Sequence, residues 1–177
     1  LSVSLGAYEL IQIVVTDQSS NVGVNLYGDD QNVTDDELIG SINDDTLTGN
    51  AGIDNLIGGP GNDVYFVSDS DDSIVENANE GIDHVNASVS FSLKDFSQNL
   101  ETLTLTEGGN LNGTGNRLDN TITGNSGNNI LNGAWGNDTL FGGAGNDTFL
   151  DDNGADHMVG GRGNDTYRID NSGDSIV

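Results

Sequence analysis

From residue 115 the chain repeats itself every nine residues. In register the units read GNRLDNTIT, GNSGNNILN, GAWGNDTLF, GGAGNDTFL, DDNGADHMV and GGRGNDTYR, ending at residue 168. A second array, QNVTDDELI, GSINDDTLT, GNAGIDNLI and GGPGNDVYF, fills residues 31–66. The sixth position holds Asp36, Asp45, Asp54 and Asp63, then Asn120, Asn129, Asp138, Asp147, Asp156 and Asp165. The eighth holds Leu38, Leu47, Leu56 and Tyr65, then Ile122, Leu131, Leu140, Phe149, Met158 and Tyr167. A fixed short period of this kind requires a stacked architecture, because one unit cannot bury its apolar face alone.

Each unit divides in two. Its Gly-rich first half is a turn, where glycine tolerates backbone conformations that side chains forbid. Its second half is a short strand whose eighth residue points inward while its neighbours point out. Stacking aligns the eighth residues into an interior ladder and the sixth-position carboxylates into rows. Carboxylates one strand spacing apart repel unless cations lie between them. Ca²⁺, which takes six to eight oxygens including backbone carbonyls, suits such a row.

Composition agrees. With 4 Lys and Arg against 29 Asp and Glu, the formal charge is −25. No basic stripe is available for nucleic acid or for an anionic membrane. A third of the chain is hydrophobic at regular spacing, which argues against disorder as the cause of the acidity. No cysteine is present, so disulfides play no part. No apolar run has the length of a membrane span. The sequence opens on Leu1 with no signal peptide and stops at Val177 within a recognisable pattern, so a fragment of a larger chain with adjoining domains is expected.

The units resemble the G-G-x-G-x-D-x-U-x nonapeptide of the RTX, hemolysin-type calcium-binding family; GGAGNDTFL and GGRGNDTYR carry it in full. The resemblance implies an all-β fold, a parallel β-roll or right-handed parallel β-helix solenoid with Ca²⁺ in the turns. Two units make one coil in that family, and each ion lies between a turn and the turn two units later. The earlier turn gives the carbonyls of its second and fourth residues and its Asp; the later gives those of its first and third and its Asp. Carried over, Gly143, Gly145 and Asp147 face Gly160, Arg162 and Asp165, while Ala134, Gly136 and Asp138 face Asp151, Asn153 and Asp156. Likewise Ser41, Asn43 and Asp45 face Gly58, Pro60 and Asp63, and Asn32, Thr34 and Asp36 face Gly49, Ala51 and Asp54. Asn125, Gly127 and Asn129 face Gly142, Ala144 and Asp147. There, and where Asn120 meets Asp138, an amide replaces one carboxylate and weaker binding is expected. The units starting at Gln31 and Gly40 lack most glycines, so looser turns are expected.

Residues 67–114 leave the nine-residue step but alternate apolar and polar residues in VNASVSFSL and LETLTLT, which predicts wider coils continuing the solenoid. Residues 1–30 read as further strands or a degenerate coil, and 169–177 as the start of another repeat. GGPGNDVYFVSDSDDSIV at 58 returns as GGRGNDTYRIDNSGDSIV at 160, an offset of 160 − 58 = 102 residues.

Catalytic readings have little to stand on. His84 and His157 are isolated, GNSG at 124–127 lacks the nucleophile-elbow spacing, and the distinctive carboxylates belong to the repeat. Trp135 sits at a variable turn position and reads as exposed. The reading is therefore a non-enzymatic calcium-binding module of a secreted bacterial protein, which the resemblance ties to type I secretion and folding on Ca²⁺ outside the cell. The alternative is an adhesive surface for a glycan or protein, built on outward threonines such as Thr139, Thr148 and Thr166. A β-helix polysaccharide lyase or epimerase is the third reading, weakened by the scarcity of Lys, Arg and His.

Overall fold

The computed structural model describes residues 12–14, 22–28, 35–95, 99–150, 153–170 and 172–177. Strands of mostly three or four residues, numbered in chain order, alternate between two faces of a coil. One face is a nine-stranded sheet, ordered along the axis as β2 (Asn25–Tyr27), β4 (Thr46–Thr48), β6 (Val64–Val67), β8 (His84–Ala87), β10 (Thr102–Leu105), β12 (Thr121–Thr123), β14 (Thr139–Ala144), β16 (His157–Arg162) and β18 (Ser175–Ile176). The other face is split in two. Its first part is β1 (Gln12–Val14), β3 (Glu37–Ile39), β5 (Asn55–Ile57) and β7 (Ser73–Val75); its second is β9 (Phe91–Ser92), β11 (Asn112–Thr114), β13 (Ile130–Asn132), β15 (Thr148–Leu150) and β17 (Thr166–Arg168). All pairings are parallel, and a 3₁₀ turn at Leu93–Asp95 is the one helical element among the described residues. The chain is thus a parallel β-solenoid, as the repeat predicts.

The nine-residue unit sets the pitch. Thr46 pairs with Val64 and Thr121 with Thr139, each two units apart. Within residues 67–114 the step lengthens: Val64 pairs with His84, and Phe91 with Gly113. The extra residues are accommodated in turns, because a parallel register cannot absorb a one-residue slip without moving every inward side chain outward. The nine-stranded sheet accordingly runs through this segment without a break.

Period-two alternation fixes the core. Leu38, Leu47, Leu56, Tyr65, Ile122, Leu131, Leu140, Phe149 and Met158, all at the eighth position, are buried. Val85 and Leu103 continue the column from Tyr65 to Ile122, and Phe149 stacks on Tyr167 with ring centroids 4.9 Å apart. Each such side chain contributes about 1.5–3 kcal/mol by leaving water. Both flanks of every strand then lie in turns, which is where the sixth-position carboxylates are held.

Candidate metal centre

The turns are of two kinds. In the first, positions two and four have left-handed backbone: φ is 104° at Gly143 and 120° at Gly145, and 88° and 150° at Gly59 and Gly61. Asn50 and Ala134 adopt the same conformation at position two, with φ of 65° and 73°. Such values exclude most side chains, and they account for the glycines at those places. Position one needs glycine for a different reason. A Cβ on Gly142 would lie 2.7 Å from the Gly160 carbonyl oxygen and would also strike Asp147 Oδ2, so the two oxygens converge over a bare Cα.

In the second kind the turn is closed by its own side chains. Asn116 and Asn125 donate their N–H groups to Oδ1 of Asn120 and Asn129 at 2.7 and 2.8 Å. Their own Oδ1 atoms accept the N–H groups of Leu118 and Gly127 at 2.8 and 2.7 Å. At Ser41 the N–H bonds Asp45 Oδ2, and Ser41 Oγ reaches Asp45 Oδ1 at 3.0 Å. The expected loosening of the glycine-poor GSINDDTLT turn is therefore not found. Side-chain hydrogen bonds hold it in place of glycine geometry.

Across the coils the carboxylates form a ladder. Asp54, Asp63, Asp138, Asp147, Asp156 and Asp165 each accept, through Oδ1, the backbone N–H of the sixth residue one coil earlier. Asp36 donates to Asp54 at 2.8 Å, Asp45 to Asp63 at 2.7 Å, Asp138 to Asp156 at 2.7 Å, and Asp147 to Asp165 at 2.9 Å. Asp36 and Asp54, Asp45 and Asp63, Asp138 and Asp156, and Asp147 and Asp165 are thus neighbours on successive coils. The turn carbonyls are stitched as well: Ala134 O accepts from Asn153 N–H, Asn153 O from Gly136 N–H, and Arg162 O from Gly145 N–H. A carbonyl has a second lone pair, so one such bond leaves it able to meet an ion. Asp151, Asn32 and Thr34 lie outside the described residues.

The other carboxylate oxygen decides what the site wants. Oδ2 of Asp54, Asp63, Asp138 and Asp147 is buried without a hydrogen-bond partner. All four belong to turns of the first kind, whereas in the second kind a backbone N–H occupies the corresponding acceptor. A buried, unpartnered carboxylate oxygen costs several times a normal hydrogen bond. Burial, reinforced by neighbouring carboxylates and opposed by the ladder N–H bond, raises Asp54 to about 6 and Asp63 and Asp138 to about 7. Burial likewise raises Asp147, with Asp165 as the like-charged neighbour. Oxygen donors of this density, mixing carboxylate and carbonyl, fit a hard cation such as Ca²⁺ and leave nothing for a soft metal.

The ladder extends beyond the nonapeptides. Asp54 N–H donates to Asp72, Asp63 to Asp83, Asp83 to Glu101, and Asp156 to Asp174. These acceptors escape the nonapeptide pattern because its two arrays end at residues 66 and 168. A step of 18 from Asp54 or Asp156 lands on Asp72 or Asp174, and that spacing was available. His84 and His157 take no part, bonding Asn86 and Ser175 at 3.2 and 2.8 Å. Trp135 is exposed, as expected of its turn position.

The model of the RTX calcium-binding nonapeptide repeat matches in 4 copies, over residues 35–74, 114–149 and 135–167. No curated protein and no solved structure matches. The matched residues span more than half of the chain and include the buried ladder and its orphaned oxygens. The chain belongs to the RTX calcium-binding nonapeptide repeat family.

Proposed function

We propose that the chain is a calcium-triggered folding module of a secreted bacterial protein, not itself catalytic, and exported unfolded by a type I route. The observation that carries this reading is the set of buried carboxylate oxygens without partners in the left-handed turns. Without cations these rows and a formal charge of −25 oppose the compact state. With calcium at about the millimolar level suited to extracellular modules, the rows are neutralised and binding free energy becomes folding free energy. Low calcium inside a cell and high calcium outside would then set where the chain folds.

The filled sites under this reading are those whose earlier turn is of the left-handed kind. Asp54 with Asp72, Asp138 with Asp156, and Asp147 with Asp165 are the carboxylate pairs, supported by the carbonyls of the facing turns. The turns of Asp45, Asn120 and Asn129 close on themselves and hold calcium more weakly. The test is far-UV circular dichroism during a calcium titration of chelated protein, with Mg²⁺ as control. A disordered spectrum that turns to β structure with Ca²⁺ alone is expected. A β spectrum indifferent to chelator would overturn the reading.

A further inference from the structure

One cluster of carboxylates reaches beyond the nonapeptide pattern. Asp63, at the end of the first array, and Glu76 and Asp83, in the segment between the arrays, are all buried. They bring one carboxylate oxygen each to within 4.8 Å of one another, the one such group among the described residues. Asp63 Oδ2 is aimed into this cluster and has no hydrogen-bond partner. The Tyr65 hydroxyl, carried inward on β6, hydrogen-bonds Glu76 Oε1. Asp63 Oδ2, Tyr65 Oη and Glu76 Oε1 converge over Gly58, where any Cβ would collide with all three.

We propose that Asp63, Glu76 and Asp83 form a calcium site of their own, closing the first array with three carboxylates where the nonapeptide pattern supplies two. The proposal rests on the reading of the chain as a calcium module and adds a ligand from outside the repeat. The two residues by which the step from Val64 to His84 exceeds the usual 18 lie in the same coil as Glu76. Glu76 itself follows β7 directly and comes to lie over Gly58 by the ordinary register, since Ile57 pairs with Val75. Three negative charges this close and this buried are costly without a cation. Consistent with that, burial chiefly, with the other two carboxylates adding to it, raises Glu76 to about 8; burial also raises Asp63 to about 7 and Asp83 to about 6. The chemistry favours calcium over magnesium, because Mg²⁺ keeps several waters and demands octahedral order that a buried cradle of large ligands does not provide. The same cradle is laid down again 102 residues on. Tyr167 Oη and Asp165 Oδ2 converge over Gly160, as Tyr65 Oη and Asp63 Oδ2 do over Gly58.

The test counts calcium ions per chain, by equilibrium dialysis and elemental analysis, in the full chain and in its Glu76→Gln and Asp147→Asn variants. Glutamine keeps the shape and an acceptor for Tyr65, so the variant tests charge. One ion fewer in each variant is expected. An undiminished count in Glu76→Gln beside a loss in Asp147→Asn would overturn this site and leave the nonapeptide sites standing. No calcium bound by the parent chain would bring down both. Should the variant fail to fold, crystals of the calcium-loaded parent chain answer the same question. An anomalous peak about 2.3–2.6 Å from the three carboxylates is expected there, and a water or hydrogen-bonded protons in its place overturns the proposal.

Discussion

Asp138 shows at the scale of one residue how the same group works against the fold and for it. Its Oδ1 accepts the Asn120 N–H at 2.7 Å, while Oδ2 is buried without a partner. Asp138→Asn keeps an acceptor for that bond and removes the charge. At pH 8 the calcium-free chain should gain about 1–3 kcal/mol, the usual scale for relieving a buried unsatisfied group, while the calcium-loaded chain should bind one ion fewer and melt lower. Far-UV circular dichroism of the calcium-free chain and thermal melts of the loaded one check the reversal; a variant less ordered without calcium and less stable with it refutes it. Asn129→Asp runs the other way. A second carboxylate opposite Asp147 should tighten calcium there, on the order of tenfold by added ligand charge; an unchanged calorimetric titration would mean that the Asn125 turn closure governs instead. The sixth-position carboxylates were legible in the sequence because one spacing placed them. The division of the turns was not, because whether Asn125 caps its own turn or Asn50 turns left-handed depends on backbone that the motif letters do not distinguish.

Among the elements, the short strands owe their stability to the inward column more than to their length. Leu140 lies in β14 between Ile122 and Met158, with which it is in register on either side. Truncating it to alanine opens a cavity against two neighbouring coils, so Leu140→Ala should cost about 2–5 kcal/mol. Thr139→Ala, one residue away and facing out, should stay within about 0.5 kcal/mol. Urea unfolding in saturating calcium separates the two, and equal costs would contradict the inward–outward alternation. This alternation was readable from the eighth-position residues alone. The middle coils were harder: VNASVSFSL revealed strands, but the step to Gly113, which turns inward without a side chain between Leu103, Ile122 and Leu131, left no periodic mark.

The whole molecule inverts the usual response to acid. Carboxylates that are salt-bridged in a native fold lose stability on protonation; here the raised groups are short of partners. Asp54 near 6 and Asp63 and Asp138 near 7 titrate above the ordinary carboxylate value of 3.8. With folded values above unfolded ones, the calcium-free fold holds more protons than the unfolded chain between those limits. Its stabilising contribution is complete below the unfolded value and is lost as pH rises through about 6 to 7. Falling net charge acts in the same direction, since it relieves the repulsion of a −25 chain. Calcium-stripped protein should therefore be more ordered at pH 5 than at pH 8. Calcium reverses the sign, because ligation requires the ionised carboxylates that protons remove. The loaded chain should lose stability as pH falls through the same window, and calcium added near pH 6.5 should release protons that a weakly buffered titration detects. Calcium-free protein that gains β structure as pH rises, read by circular dichroism, would show that the carboxylate rows are paired by something other than the ions their geometry awaits.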